Sequence, residues 1–482
     1  EIWMDGERVS DVTKHPAFKP IVDLRARMFD MQHEKAYREA LVYVDESGNA
    51  NPIVNKLPRT KRDWFDKWRA VDIQLRSLGG VVTRVGDETI GELWSLYDGK
   101  SVLEEVDTRF SQNVEKHIYR VLENDIFHVS ANTDPKGDRS LPPQEQDPDM
   151  LLHAVRETDA GIVVRGAKYE TAASYADQAF VKPTIANWGD ARLSEYAVGF
   201  ICPMNAPRLR HICRSGFAGR QSSEDYPLAN NFDEVDTLLI FDDVVVPWEN
   251  VLFYQHTRAA SYIRASLHRY SAFSYTLRFL YFADLMIGAA VLNVRQTGLD
   301  KNPAVREKLA QLAIYRETIN AHLLSSIYEA ESSPAGLLMP KQSLLYAGRV
   351  QALSRLAEMM HLTRELCGGQ VCVTPDSRAF ANGESANWLK KYYSINENWA
   401  AEDRRRLLAF TRDLLNSSYA GHRLTFALFA QSPPFAQLNA VYNTFDFDGA
   451  AEFAGFCAGL TRKDEVAGDA RSEVSALTAV RR

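Results

Sequence analysis

Apolar residues recur every three to four positions along FKPIVDLRARMFDMQHEKAYREALVYV (18–44) and RDWFDKWRAVDIQLRSLG (62–79), with charges between them. That spacing puts the apolar side chains on one helix face, and Gly79-Gly80 supplies a stop. A further helical run reaches from Val102 to Asn124. From Phe127 to Tyr254 the period falls to two. GIVVRGAKYE (161–170), EYAVGFICPM (195–204) and DTLLIFDDVVVPWENVLF (236–253) read as strands punctuated by Gly, Pro and Asn-Asp turns. Strands so spaced, without helices between them, predict an antiparallel barrel or sandwich. After Tyr254 the helical period returns. In NPAVREKLAQLAIYRETINAHLLSSIYEA (302–330), Asn302 suits an N-cap and Pro303 the first turn, and Leu309, Leu312, Ile319, Leu323 and Ile327 form one stripe. More helices are predicted over 341–367 and near 400–430, the profile of a bundle. The chain thus reads as an α+β multidomain protein. It has an N-terminal helical domain over 1–126, a central β domain over 127–256 and a C-terminal helical bundle with a polar tail over 257–482.

Composition narrows the classes. At 482 residues the chain is too long for one core. A net charge of −7 argues against nucleic acid or an anionic membrane as the main partner. The apolar run FSYTLRFLYFADLMIGAAVLNV (273–294) is broken by Arg278 and Asp284, so it reads as a buried helix and not a membrane span. No signal peptide is visible. The five cysteines, at 202, 213, 367, 372 and 457, show no C-x-x-C spacing, which predicts buried free thiols in a reducing cytoplasm. The last stretch, RKDEVAGDARSEVSALTAVRR, is polar and expected to be mobile.

The common chemical motifs are missing: no G-x-G-x-x-G, Walker loop, H-E-x-x-H or G-x-S-x-G occurs. His322 and His361 sit in helical runs without partners at metal-ligand spacing, and Glu402 to Arg406 reads as a solvated helix face. A protein so equipped draws its reactivity from an organic cofactor and contributes shape, hydrogen bonds and exclusion of water.

Three segments carry a resemblance: HPAFKP (15–20), ETDAGIVVRGAK (157–168) and NNFDEVDTLLIFDDVVVPWENVLFY (230–254). Together they resemble the 4-hydroxyphenylacetate 3-monooxygenase family and its chlorophenol-hydroxylating relatives. The resemblance implies an acyl-CoA-dehydrogenase-like architecture assembled as a homotetramer. It also implies a two-component monooxygenase: a separate NAD(P)H-flavin reductase supplies reduced FAD, which reacts with O2 here to a C4a-hydroperoxyflavin that hydroxylates a phenol, ortho in the parent enzyme.

The same resemblance assigns roles. DIFHVSANTDPKGDR (125–139) places His128 where the family has a histidine on the phenol oxygen, with Ser130 and Asn132 lining the flavin. An imidazole there would take or share the phenol proton near neutral pH. Arg84-Val85-Gly86-Asp87-Glu88 matches a family Arg-Thr-Pro-Asp-Tyr stretch, so Arg84 is expected to hold a phenolate or a substrate carboxylate, while Glu88 replaces the tyrosine. A carboxylate at 88 would repel an anionic group but welcome an amine, or act as a base. An aminophenol, an amino-acid-derived phenol or a bulkier natural-product intermediate therefore fits better than 4-hydroxyphenylacetate itself, with attachment to a carrier protein left open. Thr171 and Ser174 are expected near the flavin, Thr184 and Ala186 over the substrate, and Gln431 and Ser432 at the cofactor. Two alternatives stand beside this reading: an acyl-CoA-dehydrogenase-like flavoenzyme, including an iron–sulfur flavin dehydratase, and a non-catalytic flavin- or ligand-binding scaffold.

Overall fold

The computed structural model describes residues 1–430 and 432–460, apart from the Asp87 side chain. Two short strands open it, β1 (Ile2–Met4) and β2 (Glu7–Val9), followed by helices α1 (Lys19–Asp30), α2 (Lys61–Leu78), α3 (Asp87–Asp98) and α4 (Thr108–Asn124). The end signals of α2 act as the sequence suggests. Thr60 and Asp63 form a reciprocal capping box, and Gly79 closes the helix in the left-handed region at φ 77°. A side chain at Gly80 would meet the Phe232 ring at 2.4 Å, so the turn packs against the next segment only because position 80 has none.

Eight strands follow: β3 (His128–Ala131), β4 (His153–Thr158), β5 (Gly161–Thr171), β6 (Gln178–Val181), β7 (Gly199–Pro203), β8 (Leu209–Cys213), β9 (Asp236–Pro247) and β10 (Val251–Phe253). They build a six-stranded sheet in the order β2-β1-β8-β9-β5-β4 and a four-stranded sheet in the order β10-β7-β6-β3. The expected antiparallel barrel or sandwich is corrected here. β1 runs parallel to β8 and β3 parallel to β6, so both sheets are mixed, and no barrel closes. Period-two patterning reports which face is buried but carries no information on strand direction. β1 and β2 also bring the first residues of the chain into the central sheet. Glu7 and Arg8 on the edge strand β2 are exposed.

The C-terminal part is helical, beginning with α5 (Thr257–Ser266), α6 (His268–Gln296), α7 (Pro303–Tyr328) and α8 (Gln342–Cys367). It continues with α9 (Ala401–Asn416), α10 (Ser418–Phe429), α11 (Pro434–Thr444) and α12 (Phe447–Cys457). Asn302 caps α7 by accepting from the Ala304 amide at 2.9 Å, with Pro303 in the first turn. Of the predicted stripe, Leu312, Ile319, Leu323 and Ile327 are buried and Leu309 is half-buried. Residues 257–296 are long and apolar enough to cross a membrane, yet 61% of their most apolar window is buried inside the fold. α6 packs against α3, α7 and α8, which makes it the core helix of the molecule.

Two expectations fail locally. Cys372 and Cys457 are exposed, whereas Cys202, Cys213 and Cys367 are buried. The run from Glu402 to Arg406 is not a solvated face: Arg405 is wholly buried and pairs with Asp225 at 2.7 Å and Glu402 at 2.8 Å. A residue-by-residue charge count cannot show that a partner, Asp225, arrives from the segment between β8 and β9. The polar stretch from 461 to 482 lies outside the described residues.

Candidate active site

The N-terminal end of α3, the strands β3, β5 and β9, and the helices α6 and α10 meet around a cavity of about 290 Å³. Its chemistry starts with the backbone of Arg84. This residue has φ 56°, in the region where a non-glycine residue is strained by about 1–3 kcal/mol. Gly86 follows at φ 63°, where an added side chain would meet Val54 Cβ at 2.9 Å. This doubly turned approach to α3 directs Arg84 to the cavity wall and starts the helix so that Glu88, Thr89 and Glu92 share one face.

Each charged group there is tied to another. Arg84 Nη2 donates to Glu170 Oε1 at 2.6 Å, Nη1 donates to the Thr83 hydroxyl at 3.0 Å, and its backbone amide donates to Glu88 Oε2 at 2.7 Å. The other oxygen of Glu88 accepts from Arg278 on α6 at 2.7 Å. Burial raises the Glu170 carboxyl, and Arg84 only partly opposes this, so it is pushed up to about 7. Deeper in, Glu234 is fully buried between Arg25 at 2.6 Å and Arg423 at 3.2 Å. Burial alone would raise its carboxyl, but Arg25, Arg423 and Arg84 outweigh that and hold it down to about 2.

A second polar group comes from β9 and α10. Asp236 accepts from Thr171 at 2.5 Å and lies 2.7 Å from His422 Nε2. Burial would raise Asp236, but His422 and Arg214 together hold it below the usual carboxylate range. His422 Nδ1 is buried at the cavity without a hydrogen-bond partner. Nearby, Tyr169 is 44% and Phe429 58% exposed, leaving aromatic faces uncovered. An orphaned ring nitrogen, amide and hydroxyl groups from Asn132, Thr133 and Thr171, and bare aromatic surface suit a flat heteroaromatic with polar edges. A flavin fits that description.

The structure brings Arg84, Glu88, Ser130, Asn132 and Thr171 together at the cavity, as the sequence predicts. It does not bring His128 there. That ring is buried, its Nδ1 lies 3.2 Å from Gln178 Nε2, and it borders a separate hollow of about 60 Å³. Burial, with Lys182 and His117 adding to it, pushes His128 down to about 3, so it is neutral at any working pH. Ser130, two residues along the same strand, occupies the wall in its place. Ser174 turns into the sheet interior, where its hydroxyl meets Thr237 at 3.0 Å and Cys213 at 3.1 Å. Thr184 donates to Asp134, and Ala186 is exposed on the same loop; neither lines the cavity. The Ser432 carbonyl accepts from Gln437 at 2.8 Å without lining the cavity, and Gln431 lies outside the described residues. Glu88 is not a free carboxylate, since Arg278 and the Arg84 amide each donate to one of its oxygens.

Sequence reasoning missed Glu92, Glu170, Asp236, His268 and His422. Only Glu92 carried a signal, standing one helical turn after Glu88.

A polar-edged cavity of this make, set where helices from both ends of the chain meet two sheets, defines a flavin-dependent oxidoreductase of acyl-CoA-dehydrogenase-like fold. The chain belongs to the 4-hydroxyphenylacetate 3-hydroxylase family, whose N-terminal model matches residues 1–253 and whose C-terminal model matches residues 257–459. It is 28% identical over 449 residues to the 4-hydroxyphenylacetate 3-monooxygenase oxygenase component of Thermus thermophilus, covering 92% of this chain and 91% of that one. It is also 27% identical to a 4-hydroxybutyryl-CoA dehydratase/vinylacetyl-CoA-Δ-isomerase of Clostridium aminobutyricum, covering 95% and 96%. Among solved structures, the oxygenase component of 4-hydroxyphenylacetate 3-monooxygenase complexed with FAD superposes with a TM-score of 0.88 at 26% identity, covering 95% of each chain. The chain is accordingly a monooxygenase of the flavin-dependent aromatic type, with reduced FAD as cofactor and O2 as co-substrate.

Proposed function

We propose that this chain is the oxygenase component of a two-component system, fed with reduced FAD by a separate NAD(P)H-flavin reductase and hydroxylating a phenol ortho to its hydroxyl group. One observation carries the reading: a single cavity joins a flavin-like lining, made by Asn132, Thr171, His422 and Phe429, to a wall able to hold an ionised oxygen, made by Arg84 and Ser130. When bound, the cofactor supplies the activation of O2 for transfer of one oxygen atom to a ring carbon. The chain's own residues do the rest. Arg84 stabilises a phenolate by charge-assisted hydrogen bonding, which makes the ring electron-rich. Glu170, with its carboxyl near 7, governs how far Arg84 is available: a proton on Glu170 loosens the pair and frees the guanidinium for the substrate oxygen.

The lining includes four carboxyl groups, from Glu88, Glu92, Glu170 and Asp236, against one arginine, which the phenolate oxygen takes. An anionic side arm finds no complement there, so the substrate is a phenol other than 4-hydroxyphenylacetate, with a neutral or cationic arm. The dehydratase reading asks for cysteine ligands at the cavity, and none of the described cysteines lines it.

Turnover with a flavin reductase, NADH and a panel of phenols tests this reading. Product catechol is expected, and oxygen uptake yielding only peroxide for every phenol would overturn it. In the same assay His128→Asn is expected to keep product yield per oxygen consumed within about twofold, since the ring does not reach the cavity.

A homotetramer is part of the proposal. α11 and α12 leave Phe435 74%, Phe453 72% and Phe456 83% exposed, a run of uncovered aromatics that a second copy of the chain would bury. Sedimentation should give an oligomer that F453S/F456S loosens; a monomer at micromolar concentration would remove that part of the reading.

A further inference from the structure

With His128 turned away from the cavity, the phenol proton needs another acceptor. The wall supplies a buried three-residue chain. The Ser130 hydroxyl donates to Glu92 Oε2, and Lys182 Nζ donates to the same carboxylate oxygen at 2.5 Å and to Ser130 Oγ at 2.5 Å. Ser130 and Glu92 line the cavity, while Lys182 stands behind them with its side chain 1% exposed. A buried ion pair is a poor source of net stability, because desolvation consumes most of its attraction. Here it sits where a substrate hydroxyl would dock, with a hydroxyl group between the cavity and the carboxylate.

We propose that Ser130, Glu92 and Lys182 form the proton relay that ionises the substrate's hydroxyl, an inference that rests on the phenol-hydroxylase reading above. The phenol O–H bond breaks as its proton passes to Ser130 Oγ, and the Ser130 proton passes to Glu92, which becomes a neutral acid. The negative charge moves from Glu92 to the phenolate, Lys182 stays an ammonium facing both, and no electrons are exchanged. After the ring carbon has been oxidised, the reverse transfer returns the proton to the product oxygen. Other charged groups face the relay: Glu170 accepts from the Ser130 amide at 3.3 Å, Arg84 pairs with Glu170, and Lys168 and His128 act on Lys182 or feel it. Ser130 and Glu92 are assigned as catalytic residues, and Lys182 as a positioning residue that holds the Glu92 carboxylate and the Ser130 hydroxyl against each other.

The test uses 4-nitrophenol, whose phenolate absorbs visible light, bound to the cofactor-free protein and titrated with pH. The wild type is expected to lower the ionisation of the bound phenol by about one pH unit relative to free solution, and Ser130→Ala and Glu92→Gln to abolish that shift. Ser130→Thr, which restores the hydroxyl, should restore it. In turnover, Ser130→Ala should lower kcat by about 10²-fold with little change in KM, and the loss should shrink as pH rises and the phenol ionises unaided. A well-folded Ser130→Ala or Glu92→Gln protein whose bound nitrophenol ionises as in the wild type would overturn the relay while leaving the phenol-hydroxylase reading intact. A wild type that hydroxylates no phenol would overturn both.

Discussion

Replacing Glu234 by glutamine is expected to lower the stability of the fold by about 3–5 kcal/mol at neutral pH, the usual cost of leaving buried charges without their partner. Glu234 is wholly buried, holds Arg25 and Arg423, and accepts from the Thr83 amide and hydroxyl. It therefore fastens α1, the segment before α3, and α10 to the strand that begins at Asp236. The pH dependence supplies the check. The folded carboxyl lies at about 2 against an ordinary value of 4.5, so its stabilisation is fully present above pH 4.5 and is lost as pH falls towards 2. That shift corresponds to roughly 3 kcal/mol, in line with the mutational cost. Urea titrations should show the gap between wild type and Glu234→Gln widest near pH 7 and closing below 4.5. A gap that does not change with pH would mean that the carboxylate's charge is not what holds these elements.

Arg84→Met is expected to cut hydroxylation by about 10²–10³-fold, the usual loss when a preorganised donor to a developing anion is removed. FAD binding should survive, because the flavin-like lining comes from other residues, and oxygen uptake should continue with peroxide as product. Stability should fall less than for Glu234→Gln. The partner left behind, Glu170, already titrates near 7, so it can escape an unpaired charge by taking up a proton. Catechol yield measured beside oxygen uptake decides the matter, and an unchanged ratio would take Arg84 out of the chemistry.

The helical parts of the fold were readable because their signals are local. Asn302 and Pro303 mark the start of α7, and Gly79 the end of α2, within a few residues of the turns they control. β1 and β2 were not readable, since three-residue strands contain too little alternation to register, and the parallel pairing of β3 with β6 depends on partners fifty residues apart, as His128 and Gln178 are. The candidate site divides in the same way. Arg84, Ser130 and Asn132 sit in motif-bearing stretches. Glu170, Asp236 and His422 look like ordinary strand and helix polar residues until β5 pairs with β9 and α10 lies across them. His128 and Ser130 stand two positions apart on β3 and share a face of the sheet, so alternation alone does not tell which of them reaches the cavity.

β1 separates β2 from β8 in the six-stranded sheet. Proteolytic clipping in the tight turn at Asp5-Gly6, followed by displacement of β1 from the sheet, would bare the row of amides and carbonyls along the flank of β8. Damaged molecules would then anneal to one another through that flank, so ageing preparations should cloud while the pocket, built from other strands, still takes up its ligands.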